Sequence, residues 1–309
     1  MITKKLENVF LEKKDSFTDI LGQDKVKKQI KSALMTNRHI IIVGPPGTGK
    51  TTLAKNIAKL LDSGLKNFVR VQGSPDLTAE DLLGDIDPIK ALKYGPLSLE
   101  AFQKGKIFKA DKGILFFDEL NRCPEKLQNA LLQVLEEGKA TIGSYDVDFD
   151  IDLIFIGTMN PEDSSTETLS DVLLDRFDLV YMNYPESIDI EKKIVLEKGR
   201  KLDVNFSENL LHLATCFVRS LREDDKLEKR PSVRASLGLY ERAQSNALLD
   251  GRKNVKFEDI EEAIISVLSH RIKLKPSVKY LKDPKDFVKE EFKKFLDSNE
   301  ELNESGGDP

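Results

Sequence analysis

Cysteine and histidine are scarce in this chain of 309 residues. Two cysteines, Cys123 and Cys216, cannot build a disulfide framework, and a reducing cytosol is the expected setting. The three histidines (His39, His212, His270) read as lying away from cysteine and from one another at ligand spacing, so no dedicated zinc site is expected. Long apolar runs are missing too. Ile40–Val43, Ile114–Phe117 and Leu153–Gly157 are the longest, far below the ~20 residues of a membrane span. Met1-Ile2-Thr3-Lys4-Lys5 leads into Glu- and Lys-rich sequence rather than an apolar signal core, so a cytoplasmic protein is expected. Positive charge is not in excess: 48 Lys plus Arg stand against 53 Asp plus Glu, a net charge of −5. That balance argues against a general nucleic-acid-coating role.

What remains is ordinary globular composition, 39% hydrophobic and 33% charged, at a length that suggests two domains. Up to about residue 185 strand-like and helix-like segments alternate. Helix periodicity runs over Asp24–Leu34, Thr51–Leu61 and Pro124–Glu137. Short buried strands are expected at Ile40–Val43, Phe68–Val71, Ile114–Phe117, Leu153–Ile156 and Leu179–Met182. Such alternation predicts an α/β fold with a parallel sheet and helices on both faces. Residues 73–113 are weakly periodic and read as an elaborated connection. Lys139–Asp150 alternates around Gly143-Ser144-Tyr145-Asp146 and suggests a hairpin. After Pro185 four helical segments follow without a strand-like run, so residues 186–275 read as an all-α domain. Residues 276–309 read as a charged tail with one amphipathic piece (Phe287, Phe292, Phe295, Leu296). The lysines of Lys25–Lys31 are placed on the solvated outer face of a helix rather than on nucleic acid.

Three features carry chemistry. Gly44-Pro45-Pro46-Gly47-Thr48-Gly49-Lys50-Thr51, with Thr52 behind it, fits the phosphate-binding loop pattern. Glycines let backbone N–H groups curl around phosphate oxygens, and the following helix turns its positive end toward them. Lys50 would reach the outer phosphates, and the Thr51 hydroxyl is a Mg²⁺ ligand candidate. Asp118-Glu119 ends the third strand, where carboxyl ends of strands form the ligand crevice. Asp118 would hold the Mg²⁺ hydration shell, and Glu119 would orient the attacking water. Asn160 follows the next strand and would share that crevice.

In this order the motifs resemble those of the AAA+ ATPases. Gly44–Thr51 looks like Walker A, Phe116–Glu119 like Walker B and Asn160 like the sensor-1 residue. Within that superfamily the chain is similar to MoxR-type ATPases, near the ATPase subunit of magnesium chelatase. Phe17–Gln23 resembles their adenine-side segment, Asp118-Glu119-Leu120-Asn121-Arg122-Cys123-Pro124 their extended Walker B, and Gly157-Thr158-Met159-Asn160-Pro161 their sensor-1 stretch. Leu173-Leu174-Asp175-Arg176-Phe177 matches the arginine-finger segment, and Arg230–Ala235 with Gly251-Arg252 and His270-Arg271 the sensor-2 domain. The resemblance implies a P-loop core over residues 1–185, with 73–113 as the helix-2 insert and 139–150 as the pre-sensor-1 hairpin, followed by a helical lid. It implies ATP and Mg²⁺ as cofactors and a homo-oligomeric ring, typically a hexamer, in which Arg176 completes a neighbour's site. It implies Arg234 as sensor 2, although Arg230 stands where the motif usually opens with glycine. Arg122 either reaches a neighbour or makes a surface ion pair. The implied function is ATP hydrolysis that remodels or activates a partner protein, a von Willebrand A-type protein among the candidates. A chelatase-like metal insertase and a DNA-linked switch resembling clamp loaders are the alternatives.

Overall fold

Five short segments, the three central ones largely apolar and the two edge ones interrupted by polar residues, form the sheet of the first unit. They are β1 (His39–Val43), β2 (Phe68–Gln72), β3 (Ile114–Asp118), β4 (Ile154–Met159) and β5 (Phe177–Tyr181). All pair in parallel, in the order β2-β3-β4-β1-β5. The computed structural model describes residues 2–12, 16–61, 64–96, 98–142, 147–161 and 169–298. It divides the chain into two units, Met1–Asn183 and Tyr184–Pro309.

Ile40, Ile41 and Ile42 are all fully buried, which is why β1 reads as a continuous apolar run rather than an alternating one. One face of the sheet, with Ile40, Ile42, Phe116 and Ile156, packs against α1 (Ile2–Glu12), α2 (Asp24–Met35) and α3 (Lys50–Lys59). The other, with Ile41, Leu115, Phe117 and Phe155, receives Leu127, Leu131 and Val134 of α4 (Glu125–Glu137). Gly138 ends α4 in the left-handed conformation (φ 63°), as a helix-terminating glycine does. From β1 the chain crosses to β2 at the far edge, and it later returns to place β5 on the other side of β1. Strand order therefore reverses beside β1, and a crevice opens there at the carboxyl ends.

Residues 73–113 form a connection of small pieces. Short helices span Ala79–Leu83, Pro88–Tyr94 and Lys106–Lys109, and Gly84–Ile86 pairs antiparallel with Phe102–Lys104. The Asp87 carboxylate accepts from the N–H groups of Ile89 and Lys90, with Pro88 opening the helix behind it. Lys139–Ile142 pairs antiparallel with Val147–Asp150, while the expected hairpin tip, 143–146, lies outside the described residues.

Helix α1 was not expected from periodicity. It packs on α2 and buries Leu6 and Phe10. The expectation for the lysines of α2 holds for Lys25 and Lys28, which are exposed, and is corrected for two others. Lys27 is buried, and the ammonium of Lys31 lies over the rings of Phe10 and Phe17 at 5.7 and 5.6 Å.

The second unit is helical: α5 (Ile188–Lys198), α6 (Glu208–Glu223), α7 (Val233–Leu249), α8 (Phe257–Leu268) and α9 (Pro284–Asp297). Two departures from the sequence expectation stand out. Leu227–Lys229 and Lys273–Leu274 make a two-stranded antiparallel ladder, too short to leave a period in the sequence. The segment read as a charged tail contains α9, whose Phe287, Val288 and Phe292 are buried in the core of this unit with Phe217 and Ile264. Its charged residues occupy the outer face of an amphipathic helix. His212 and Cys216 also depart from expectation, since they are one helical turn apart and bring Nε2 and Sγ to 3.4 Å. No metal-holding group of three or more His, Cys, Asp or Glu occurs among the described residues.

A buried ionic cluster ties three of these helices together. Glu191 on α5 is fully buried and takes both guanidinium nitrogens of Arg222 on α6 at 2.6 Å, with the Ser236 hydroxyl of α7 donating at 2.6 Å. Removing one partner strands a buried charge, which typically costs about 3–5 kcal/mol. Glu191→Ala is therefore expected to lower the urea midpoint of helical unfolding by circular dichroism. Adding Arg222→Ala to it should recover part of the loss, as a double-mutant cycle would register. Additive losses would mean that the pair is not coupled.

Candidate active site

The phosphate-loop sequence leaves β1 at Val43. The Gly44 N–H donates to Met159 O at 3.1 Å, and the Met182 N–H donates to Val43 O at 2.8 Å, so the loop is rooted between β4 and β5. Gly44 is required by close approach: a Cβ there would lie 2.0 Å from Met182 O. Gly49 has φ 101° and caps α3 without a side-chain hydrogen bond. The first turn of α3 holds no acidic residue. Amides aimed from a helix start, no competing carboxylate and one lysine make a cradle that fits an anion. The Lys50 ammonium donates to Gly44 O at 2.6 Å and Pro45 O at 2.8 Å, and the Thr48 hydroxyl to Pro45 O at 3.1 Å. Ile20, from the segment before α2, and Met182 supply apolar atoms 3.6 and 3.5 Å from where a Gly49 Cβ would stand.

The acidic pair lies at the same end of the sheet. In register, Phe117 is level with Gly157 and Val43 with Met159, which sets Asp118, Glu119 and Asn160 beside the root of the loop. The Thr158 hydroxyl joins the two acids. It donates to Asp118 Oδ1 at 2.7 Å and accepts the Glu119 N–H at 3.0 Å. Glu119 adopts a left-handed backbone (φ 56°, ψ 52°), sparsely used by residues other than glycine, where the strand turns sharply. Its carboxylate accepts from Gln72 Nε2 at 2.8 Å and pairs with the Arg122 guanidinium at 3.2 Å. Asp118 Oδ2 accepts from Arg70 at 2.6 Å. Oxygen donors alone, a hydroxyl at Thr51 and the Asp118 carboxylate, form a set chemically suited to Mg²⁺.

The Asn160 carbonyl accepts from the Asn121 side-chain amide at 3.5 Å. Arg176 is elsewhere. It precedes β5, level with Arg38 at the opposite end of the sheet, and binds Glu136 through Nε (3.1 Å) and Nη2 (2.9 Å). Arg234 and Arg230 belong to the second unit and are both exposed. Thr52 lies in the first turn of α3 with Thr51.

Sequence reasoning did not single out Thr158, Arg70 or Gln72. Thr158 had a usable signal, a polar residue inside a buried apolar strand, where it is 1% exposed. Arg70 and Gln72 had only their alternation on a strand whose partner lies more than forty residues away.

The chain is similar to known proteins over most of its length. An AAA domain (dynein-related subfamily) family description matches residues 39–177, and an AAA lid domain matches residues 220–291. The chain is 28% identical over 286 residues to the chaperone MoxR1 of Mycobacterium tuberculosis, covering 82% of this chain and 73% of that one. It is 26% identical to the chloroplastic magnesium-chelatase subunit ChlI of Glycine max, covering 84% and 75%. Among solved structures, NtrX from Brucella abortus in complex with ADP shares the fold, with a TM-score of 0.55 at 18% identity, over 93% of this chain and 64% of that chain.

Proposed function

The chain belongs to the AAA+ family, among its MoxR-type members near the magnesium-chelatase ATPase subunits, and from that premise we propose that it is a Mg²⁺-dependent ATPase that works as a ring. One observation carries the reading. The phosphate loop and the Asp118–Glu119 pair lie at one end of the sheet, with the Asp118 carboxylate and the Glu119 main-chain N–H held by the same Thr158 hydroxyl. In this reading the loop amides and the Lys50 ammonium bind the β- and γ-phosphates, and Thr51 and Asp118 hold the metal. Bound Mg²⁺ would neutralise charge on the phosphate oxygens. Glu119 orients a water for attack on the γ-phosphate, and Asn160 positions it from the neighbouring strand. Arg176 serves the site of an adjacent protomer, and Arg234 senses nucleotide from the lid.

For output we propose remodelling or activation of a partner protein, the role supported by similarity to a protein named as a chaperone. A von Willebrand A-type partner is the class that the sequence resemblance implies. Similarity to ChlI supports a second output on the same ATPase, insertion of a metal by a larger complex. Co-purification separates the two, since the first predicts a protein client and the second further chelatase subunits. No helix among the described residues is long and apolar enough to cross a membrane.

Lys50→Ala tests the site itself. Without its ammonium the loop has no cation to balance outer-phosphate charge, so calorimetric titration with a nonhydrolysable ATP analogue should show binding abolished. Wild-type affinity in this variant would sink the phosphate-loop assignment.

A further inference from the structure

Strand β2 contributes nothing to the phosphate loop or the acidic pair, yet two of its side chains hold both acids. Arg70 and Gln72 are two residues apart and so share one face of the strand, and Gln72 stands opposite Asp118 in the ladder. The Arg70 Nη2 donates to Asp118 Oδ2 at 2.6 Å and to Gln72 Oε1 at 3.4 Å. Gln72 Nε2 in turn donates to Glu119 Oε2 at 2.8 Å. The remaining Asp118 oxygen, Oδ1, is engaged by the Thr158 hydroxyl. The guanidinium therefore covers the carboxylate oxygen through which Asp118 would receive a cation or its water shell. The contact is exchangeable rather than entombed, because the Arg70 side chain is 52% exposed and that of Asp118 15%.

We infer that Arg70 is a positioning residue that competes with the metal for Asp118. It keeps the carboxylate aligned and partly neutralised, and it gives up Oδ2 when Mg²⁺ arrives with nucleotide. This rests on the ATPase reading above. The consequence is a raised threshold: a fixed positive charge beside Asp118 repels a divalent cation and satisfies the same oxygen. A single nitrogen, Nη2, reaches both the carboxylate and the amide oxygen, so lysine, whose ammonium carries three donors on one nitrogen, keeps the charge and the donor capacity of the position.

The test is a Mg²⁺ titration of a fluorescent nonhydrolysable ATP analogue bound to the full chain, which reads metal demand without turnover. For Arg70→Met the half-maximal Mg²⁺ concentration should fall about three- to fivefold, while Arg70→Lys stays within about twofold of wild type. Affinity for the analogue in EDTA should be equal in all three proteins, a readout that general damage to the fold would not leave intact. A wild-type or raised Mg²⁺ midpoint in Arg70→Met overturns the competition. Weaker binding of Arg70→Met in EDTA also overturns it, and makes Arg70 a nucleotide contact. If wild-type binding ignores Mg²⁺ altogether, the ATPase reading itself fails, and the competition falls with it.

Discussion

Arg176→Ala is expected to bind ATP at near wild-type strength and to hydrolyse it on the order of 10³-fold more slowly. Register explains why both halves of that expectation belong together. Phe177 pairs with His39, so Arg176 stands five residues before Val43 along the sheet. At about 3.3 Å per residue its own phosphate loop, which starts one residue further at Gly44, is about 20 Å away, too far for the side chain to reach. If Arg176 acts on a nucleotide, the nucleotide is in another protomer. Its present partners are Glu136 and, through Nη1 at 2.6 Å, the Val172 carbonyl just upstream, and the ion pair is an obstacle of small size. The pair is partly exposed, at 30% and 57%, and such pairs are worth about 0–1 kcal/mol. A 10³-fold rate effect corresponds to about 4 kcal/mol, so exchanging Glu136 for a neighbour's γ-phosphate is favourable on those magnitudes. Two measurements check the shared site. Mixing Arg176→Ala with Lys50→Ala protein should restore only a fraction of activity, through interfaces that pair an intact loop with an intact finger. Wild-type activity per chain should also rise with concentration as light scattering reports assembly. Flat activity across that range, together with normal turnover by Arg176→Ala, would favour a self-contained nucleotide switch.

Glu119→Gln separates chemistry from binding. Glutamine keeps the size of the side chain and its capacity to bond Gln72, but not the carboxylate that orients and polarises water. Turnover should fall at least ~10²-fold, the lower range for loss of a general base, with ATP still bound. Steady-state phosphate release and nucleotide affinity, measured on one preparation, decide it. Unchanged release would remove Glu119 from the chemistry. The left-handed backbone at this position matters to the choice of variant. A β-branched replacement would strain the turn and confound the reading, whereas glutamine has the same branching as glutamate.

The turn between β1 and α3 was legible because its pattern is contiguous, eight residues at fixed spacing. The sheet was legible because a parallel strand buried on both faces is written as an apolar run, as in Ile40–Val43. What sequence did not disclose depends on pairing at a distance. Arg70 acquires meaning only when Gln72 is set opposite Asp118, and Lys31 meets the Phe10 ring only because α1 packs on α2. The closing helix α9 was legible as an amphipathic piece, but its place in the core was not. Lysine and glutamate dominate its composition, and the few phenylalanines that anchor it are recognisable as core only beside Phe217 and Phe257. The contact of His212 with Cys216 follows from helical spacing and was open to be read.

The strand order has a bearing on how the protein is born. Four strand pairings build the sheet, and of these only β2–β3 is available to a nascent chain that has emerged as far as residue 118. Strand β1, made early, finds its neighbours only with the arrival of β4 and β5, over 110 residues later. The root of the phosphate loop waits with it, because Gly44 is fastened to Met159 and packed against Met182. Long-range parallel pairing of this kind forms slowly and leaves apolar edges open meanwhile. A ribosome paused after Gly44–Thr51 has emerged but before the codon for Met159 would thus display the loop sequence in full while holding no finished site.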